Sequence, residues 1–112
     1  MSERTVAIEG PAVYGVLAEV GAERQRQDAK WGEQNHPDGT GGGRSAAAAV
    51  GARFACQLAA KEGGLAWRHV LREEVAEAFA EIDPTALRAV LIQVAAVAVA
   101  WVESIDRRSG RG

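Results

Sequence analysis

Apolar residues recur at helical spacing through four stretches of the chain, and the glycines and prolines fall mostly between them. Gly10-Pro11 opens the first, with proline suited to a first turn and Val13, Val16, Leu17 and Val20 following three and four residues apart. This predicts a helix to about Lys30. Residues 31–44 read WGEQNHPDGTGGGR, with five glycines and no periodicity, which predicts a long loop of the kind that often carries function in a compact domain. Ser45 is expected to cap a second helix bearing Val50, Phe54, Cys56 and Leu58 and ending near Glu62, before Gly63-Gly64. A third helix is expected from about Trp67 to Ile82, halted because Asp83 precedes Pro84 and the residue before proline is pushed out of the α region. The fourth is expected from Pro84 to about Arg107. No internal repeat or sustained heptad interrupts this layout.

Composition then narrows the architecture. The chain of 112 residues holds 23 alanines against 24 Val, Leu, Ile and Phe together, so nearly half of its apolar side chains are single methyl groups. Alanine favours helix and offers little to a pleated sheet, which predicts an all-α fold. The expectation is one helical domain over 1–112, a bundle of four to five helices with frayed ends at 1–10 and 108–112. A core of such small residues leaves burial to be completed by association of subunits. On the third helix Leu71, Val75, Ala78, Phe79 and Ile82 gather into the expected core stripe, and on the fourth Leu87, Leu91, Val94, Ala98, Val102 and Ile105 do the same. Trp67 and Trp101 read as packing residues, and Cys56 as a buried, inert thiol.

Charge and cysteine content remove several function classes. A net charge of -2 gives no broad electrostatic attraction to nucleic acid or anionic membrane. The apolar run Val94 to Val102 is shorter than the ~20 residues of a membrane span, and MSERTVAIEG lacks the apolar segment of a signal peptide. A cytoplasmic protein is expected. One cysteine and two histidines cannot supply the usual zinc ligand set, so any metal should be oxygen-bound. The string GTGGGRS differs from a phosphate-binding P-loop, because Arg44 stands where lysine is needed and no strand pattern precedes it.

The most informative chemistry lies on the third helix. Glu74, Glu77 and Glu81 form an acidic stripe beside the apolar one, with Glu73 further round toward solvent or another subunit. Like charges at this spacing each destabilise a helix by a few tenths of a kcal/mol, and no basic residue lies four positions beyond Glu74 or Glu77. Something else should balance them. Carboxylates three apart on one helical face suit a hard divalent cation such as Mg²⁺, which takes a few of these oxygens together with water and phosphate.

Glu73-Glu74-Val75-Ala76-Glu77 resembles the EExxE half of the motif of MazG-like nucleotide pyrophosphohydrolases. The string from Glu23 to Pro37, ERQRQDAKWGEQNHP, is similar to a short actinobacterial and phage subgroup of that family. The likeness extends over about residues 12–107. It implies an all-α fold, Mg²⁺ with Mn²⁺ as a substitute, and hydrolysis of a nucleoside triphosphate to monophosphate and pyrophosphate. It also implies assembly into dimers or tetramers, for which Ala46 to Ala49, Ala52 and Ala95 to Ala100 offer smooth faces. Glu74 and Glu77 would be metal ligands, with Glu73 holding a second ion or orienting water. Arg24, Lys30, Arg44 and Arg72 are candidate phosphate partners. Trp31 would stack on a base whose polar edge Asn35 or His36 reads.

The family motif continues with ExxD on the next helix, and here the chain departs from it. Glu103 and Asp106 match literally, but if the third and fourth helices fold back about Pro84, residue 75 lies level with roughly residue 92. Glu103 is then about 15 Å too far along, at ~1.5 Å rise per residue. Both are therefore assigned to the solvated surface. The level positions are Val90 and Gln93, so the carboxylates are replaced by an apolar group and a neutral oxygen. Glu23, Glu81 or substrate phosphate would have to supply the missing ligands, with Gln27 beside Glu23 on the first helix. Two expectations follow: a Mg²⁺-dependent pyrophosphohydrolase, or a catalytically weakened relative that binds a nucleotide or a protein partner without turnover.

Overall fold

A computed structural model describes residues 11–110, and the expectations about Gly10, the segment 1–10 and the last two residues lie outside them. The described residues are all-α, with no strand. The helices are α1 (Pro11–Trp31), α2 (Gly43–Lys61), α3 (Trp67–Ala80) and α4 (Pro84–Arg108). They fall into two compact units. One comprises 11–36 with 99–110, the other 37–98, so α4 contributes residues to each.

Each helix end has a local chemical cause. α1 stops at Gly32, which takes a φ of 71° and donates its amide to the Asp28 carbonyl over 2.8 Å. α2 closes in a Schellman arrangement, with the amides of Gly63 and Gly64 donating to the carbonyls of Ala60 and Ala59 over 3.2 and 2.8 Å. At the start of α3 the amide of Ala66 donates to Nδ1 of His69 over 3.0 Å. Asp83 caps α4, its Oδ2 accepting from the Ala86 amide over 2.9 Å, and Pro84 follows at the first helical position, where its missing N–H costs nothing.

Two boundaries differ from the sequence reading. α2 begins at Gly43, its N-cap is Gly42, and no side-chain cap bond forms, so Ser45 lies inside the first turn. The permissive glycine backbone starts the helix before the serine is reached. α3 stops at Ala80 rather than Ile82, because Glu81 is already extended and its Oε2 accepts from the Asp83 amide over 3.0 Å.

In the second unit α2 packs against α3, and the buried side chains on these helices are small: Ala49, Ala52 and Ala78, joined in burial by Leu87 of α4. In the first unit Val16 and Val99 are buried. The expected apolar stripes are only partly covered. Leu71, Val75 and Val94 are half-buried, but Phe79 and Ile82 are 61% and 71% exposed, and Leu91, Val102 and Ile105 are exposed too. Leu17, Val20, Val50, Phe54 and Leu58 likewise face outward. The periodicity located the apolar faces, while the described chain has too few elements to cover them. Trp67 and Trp101 are half-buried, and so is Cys56, which is not fully enclosed as expected. Glu103 and Asp106, expected on the solvated surface, are half-buried. α4 also corrects the estimate of apolar length: its 25 residues, taken together, are long and apolar enough to cross a membrane.

Candidate functional site

The second unit builds its acidic site from α3 against the middle of α2. Glu73, Glu74 and Glu77 are all half-buried. Glu73 does not turn away to solvent: its side chain is 23% exposed, against 30% for Glu77, and it faces Arg53 of α2. Arg53 spans the pair, with Nε 3.9 Å from Glu73 Oε2 and Nη2 4.0 Å from Glu77 Oε2. This is the balancing cation that the helix's own sequence lacked. Arg53 lies twenty positions before Glu73, beyond the reach of any rule about neighbours on one helix.

Glu74 is the electrostatic centre of the cluster. Its Oε1 is shielded from solvent and accepts no hydrogen bond. Burial, and then the like charges of Glu77 and Glu73, raise its carboxyl above the usual carboxylate range. Beside Glu73 the Cys56 thiol is also raised, first by burial and then by its hydrogen bond and charge interaction with Glu73. That thiol is a poor nucleophile at neutral pH.

Glu73, Glu74 and Glu77 offer hard carboxylate oxygens, one of them unpartnered, which is the donor type that Mg²⁺ accepts alongside water and phosphate. A ready-made protein cage is not present: among the described residues no three Asp, Glu, His or Cys side chains are grouped to hold a metal. The two expected compensating ligands are engaged elsewhere. Glu81 is committed to the Asp83 amide. Glu23 accepts from Arg26 Nε over 2.9 Å and from Gln27 Nε2 over 3.5 Å. The Arg26 hydrogen bond and charge, set against slight burial, hold its carboxyl below the ordinary value. On α4, Val90 is half-buried and Gln93 exposed.

Of the expected substrate-binding residues, Arg24, Gln27, Lys30, Trp31, Asn35 and His36 belong to the first unit, and Arg44 and Arg72 to the second. Arg24 donates to Gln27 Oε1 and to Asp28 Oδ1, each over 2.8 Å, so its charge is shared with Asp28. Lys30 Nζ lies 4.9 Å from the centre of the exposed Trp31 ring, a cation–π arrangement. In the loop, Asn35 donates to Glu33 Oε2 over 2.9 Å, and His36 Nε2 meets Gln34 Oε1 at 3.0 Å. A hollow of about 460 Å³ is lined by Arg24, Asp28, Gly32, Glu33 and Gln34. Sequence reading named Arg24 of this lining but not the acidic Asp28 and Glu33. No family model, curated protein or solved structure matches the chain.

Proposed function

We propose that the protein is a Mg²⁺-dependent nucleotide pyrophosphohydrolase that converts a nucleoside or deoxynucleoside triphosphate to the monophosphate and pyrophosphate. The observation that carries this reading is Glu74 Oε1, a shielded acceptor with no donor, beside Glu77 and Glu73 on one helix. A buried acceptor left unmatched costs free energy that a cation would recover. The all-α fold and the similarity of residues 23–37 and 73–77 to MazG-like enzymes support it.

In this reading Glu74 and Glu77 hold the ion and Glu73 orients the attacking water. Arg44 and Arg72 of the same unit are candidate phosphate partners, while the first unit, taken by itself, offers the charges of Arg24 and Lys30, the exposed face of Trp31 and the polar groups of Gln27, Asn35 and His36. Bound Mg²⁺ supplies charge neutralisation on phosphate oxygens and a more acidic water. The protein works in the cytoplasm as a dimer or tetramer, a second copy covering the exposed apolar side chains.

A second reading, a weakened relative that binds without turnover, is favoured because no three Asp, Glu, His or Cys side chains among the described residues are grouped to hold a metal, and by Val90 on α4. A panel of NTPs and dNTPs with Mg²⁺ separates the two. Release of pyrophosphate, abolished by Glu74→Ala and by Glu77→Ala, is the expected result. Absence of turnover on every nucleotide leaves the second reading.

A further inference from the structure

The hollow at the carbonyl end of α1 is lined in a way that does not suit a phosphate. Arg24 brings one positive charge, Asp28 and Glu33 bring two negative ones, and Gly32 and Gln34 are neutral. Asp28 already pairs with the Arg24 guanidinium at 2.8 Å, and the end of a helix that presents its carbonyls carries the negative end of the dipole. Lys30 is turned over the Trp31 ring and is not part of the lining. An anion placed here meets like charge. At about 460 Å³ the hollow nevertheless lies within the ~300–1,000 Å³ of small-molecule sites.

The lining offers two forks, one of donors and one of acceptors. Arg24 donates to Gln27 Oε1 and Asp28 Oδ1, contacts that hold the guanidinium in place while using two of its N–H groups. Glu33 accepts from Asn35 on Oε2 over 2.9 Å, which orients the carboxylate without saturating it. Among the nucleobases guanine matches both forks. Its O6 and N7 are the acceptor pair that a guanidinium takes bidentately, and its N1–H and N2 amino group are a donor pair that a carboxylate takes the same way. Adenine and cytosine bring one amino group and uracil one N–H, so each leaves a fork half-used.

We propose that this hollow is a guanine site, in which Arg24, held by Asp28, donates to O6 and N7 while Glu33 accepts from N1–H and the N2 amino group. This rests on the nucleotide-hydrolysing reading above and narrows it to guanine nucleotides, but recognition of the base itself needs no metal.

The test is calorimetric titration of the full chain in EDTA with GMP, IMP, AMP, CMP and UMP, beside turnover of the triphosphate panel with Mg²⁺. GMP should bind about ten- to a hundredfold more tightly than AMP, CMP or UMP, the scale of one bidentate base contact. IMP, which keeps O6, N7 and N1–H but lacks the amino group, should bind about tenfold more weakly than GMP, the scale of one hydrogen bond to a charged group. Glu33→Gln, at an exposed position, should bring GMP and IMP close to level. Arg24→Lys, which keeps the charge and loses the fork, should weaken both by a similar factor. A guanine preference that both variants leave intact places the base elsewhere and overturns the assignment. No preference for guanine in either assay, with turnover still present, overturns the guanine site and leaves the hydrolase reading standing. Neither binding nor turnover of any nucleotide removes both.

Discussion

The amide of Gly41 donates to the carbonyl of Phe79 over 2.8 Å, tying the end of the glycine-rich loop to the last turn of α3. Gly41 holds a φ of 99°, and a Cβ added there would collide with Cγ2 of Ile82. Both constraints act at the end of the helix that carries the acidic cluster.

Gly41→Ala should therefore destabilise the protein by about 2 kcal/mol or more, combining left-handed backbone strain with displacement of Ile82. Thermal melting checks it. Gly39→Ala is the control: its φ of 69° carries similar strain, but nothing lies within 4 Å of the added methyl, so it should cost less. Equal losses would show that the Ile82 contact contributes nothing.

Glu74 gives stability a pH dependence of definite sign. Its carboxyl is raised in the folded protein, so between its ordinary and its raised value the native state binds more protons than the unfolded state. Stability then falls as pH rises through that window, and the burial penalty is absent below it. Glu74→Gln should melt higher than wild type above the window and about equally below it. Melting curves from acidic to neutral pH that run parallel for the two proteins would contradict this.

Repairing α4 probes what the departures at Val90 and Gln93 cost. Val90→Glu combined with Gln93→Asp should tighten Mg²⁺ binding about ten- to a hundredfold, the range over which altered ligand surroundings change metal affinity. Titration of wild type and double variant checks it. Unchanged affinity would mean that the α3 carboxylates work without partners from α4.

Leu91 and Ile92 stand exposed on α4. Light scattering of the wild type should give a mass that is a multiple of 11.8 kDa. Leu91→Glu with Ile92→Lys should return it toward the single-chain value, since burying charge at an apolar contact is strongly unfavourable. A wild type that is already monomeric removes the proposed assembly.

Much of the helical layout was legible because its signals are local. Asp83-Pro84 marks a boundary by steric exclusion, Gly63-Gly64 by left-handed geometry, and the EExxE spacing places three carboxylates around one helical turn. Burial was less legible: Phe79, Ile82 and Leu91 carry the right period, but period reports which face is apolar and not whether anything covers it. Arg53 was invisible for a related reason. Its relation to Glu73 and Glu77 exists only once α2 lies along α3, and nothing in the alanine-rich stretch around it announces a charge partner. Glu23 and Glu81 looked available for metal until their own neighbours claimed them.

The alanines buried between α2 and α3 set a distance as well as filling a core. Small side chains let helices approach toward the short end of the ~8–10 Å range of interaxial separations. An arginine arm has fixed length, so that separation decides whether the guanidinium of Arg53 reaches the carboxylates across the gap. Ala52→Leu, beyond its packing cost of about 1–3 kcal/mol, should lengthen both Arg53 contacts without altering a single charged residue. The methyl groups of Ala49, Ala52 and Ala78 thus act as a gauge block, fixing by steric spacing how strongly the cluster feels its cation.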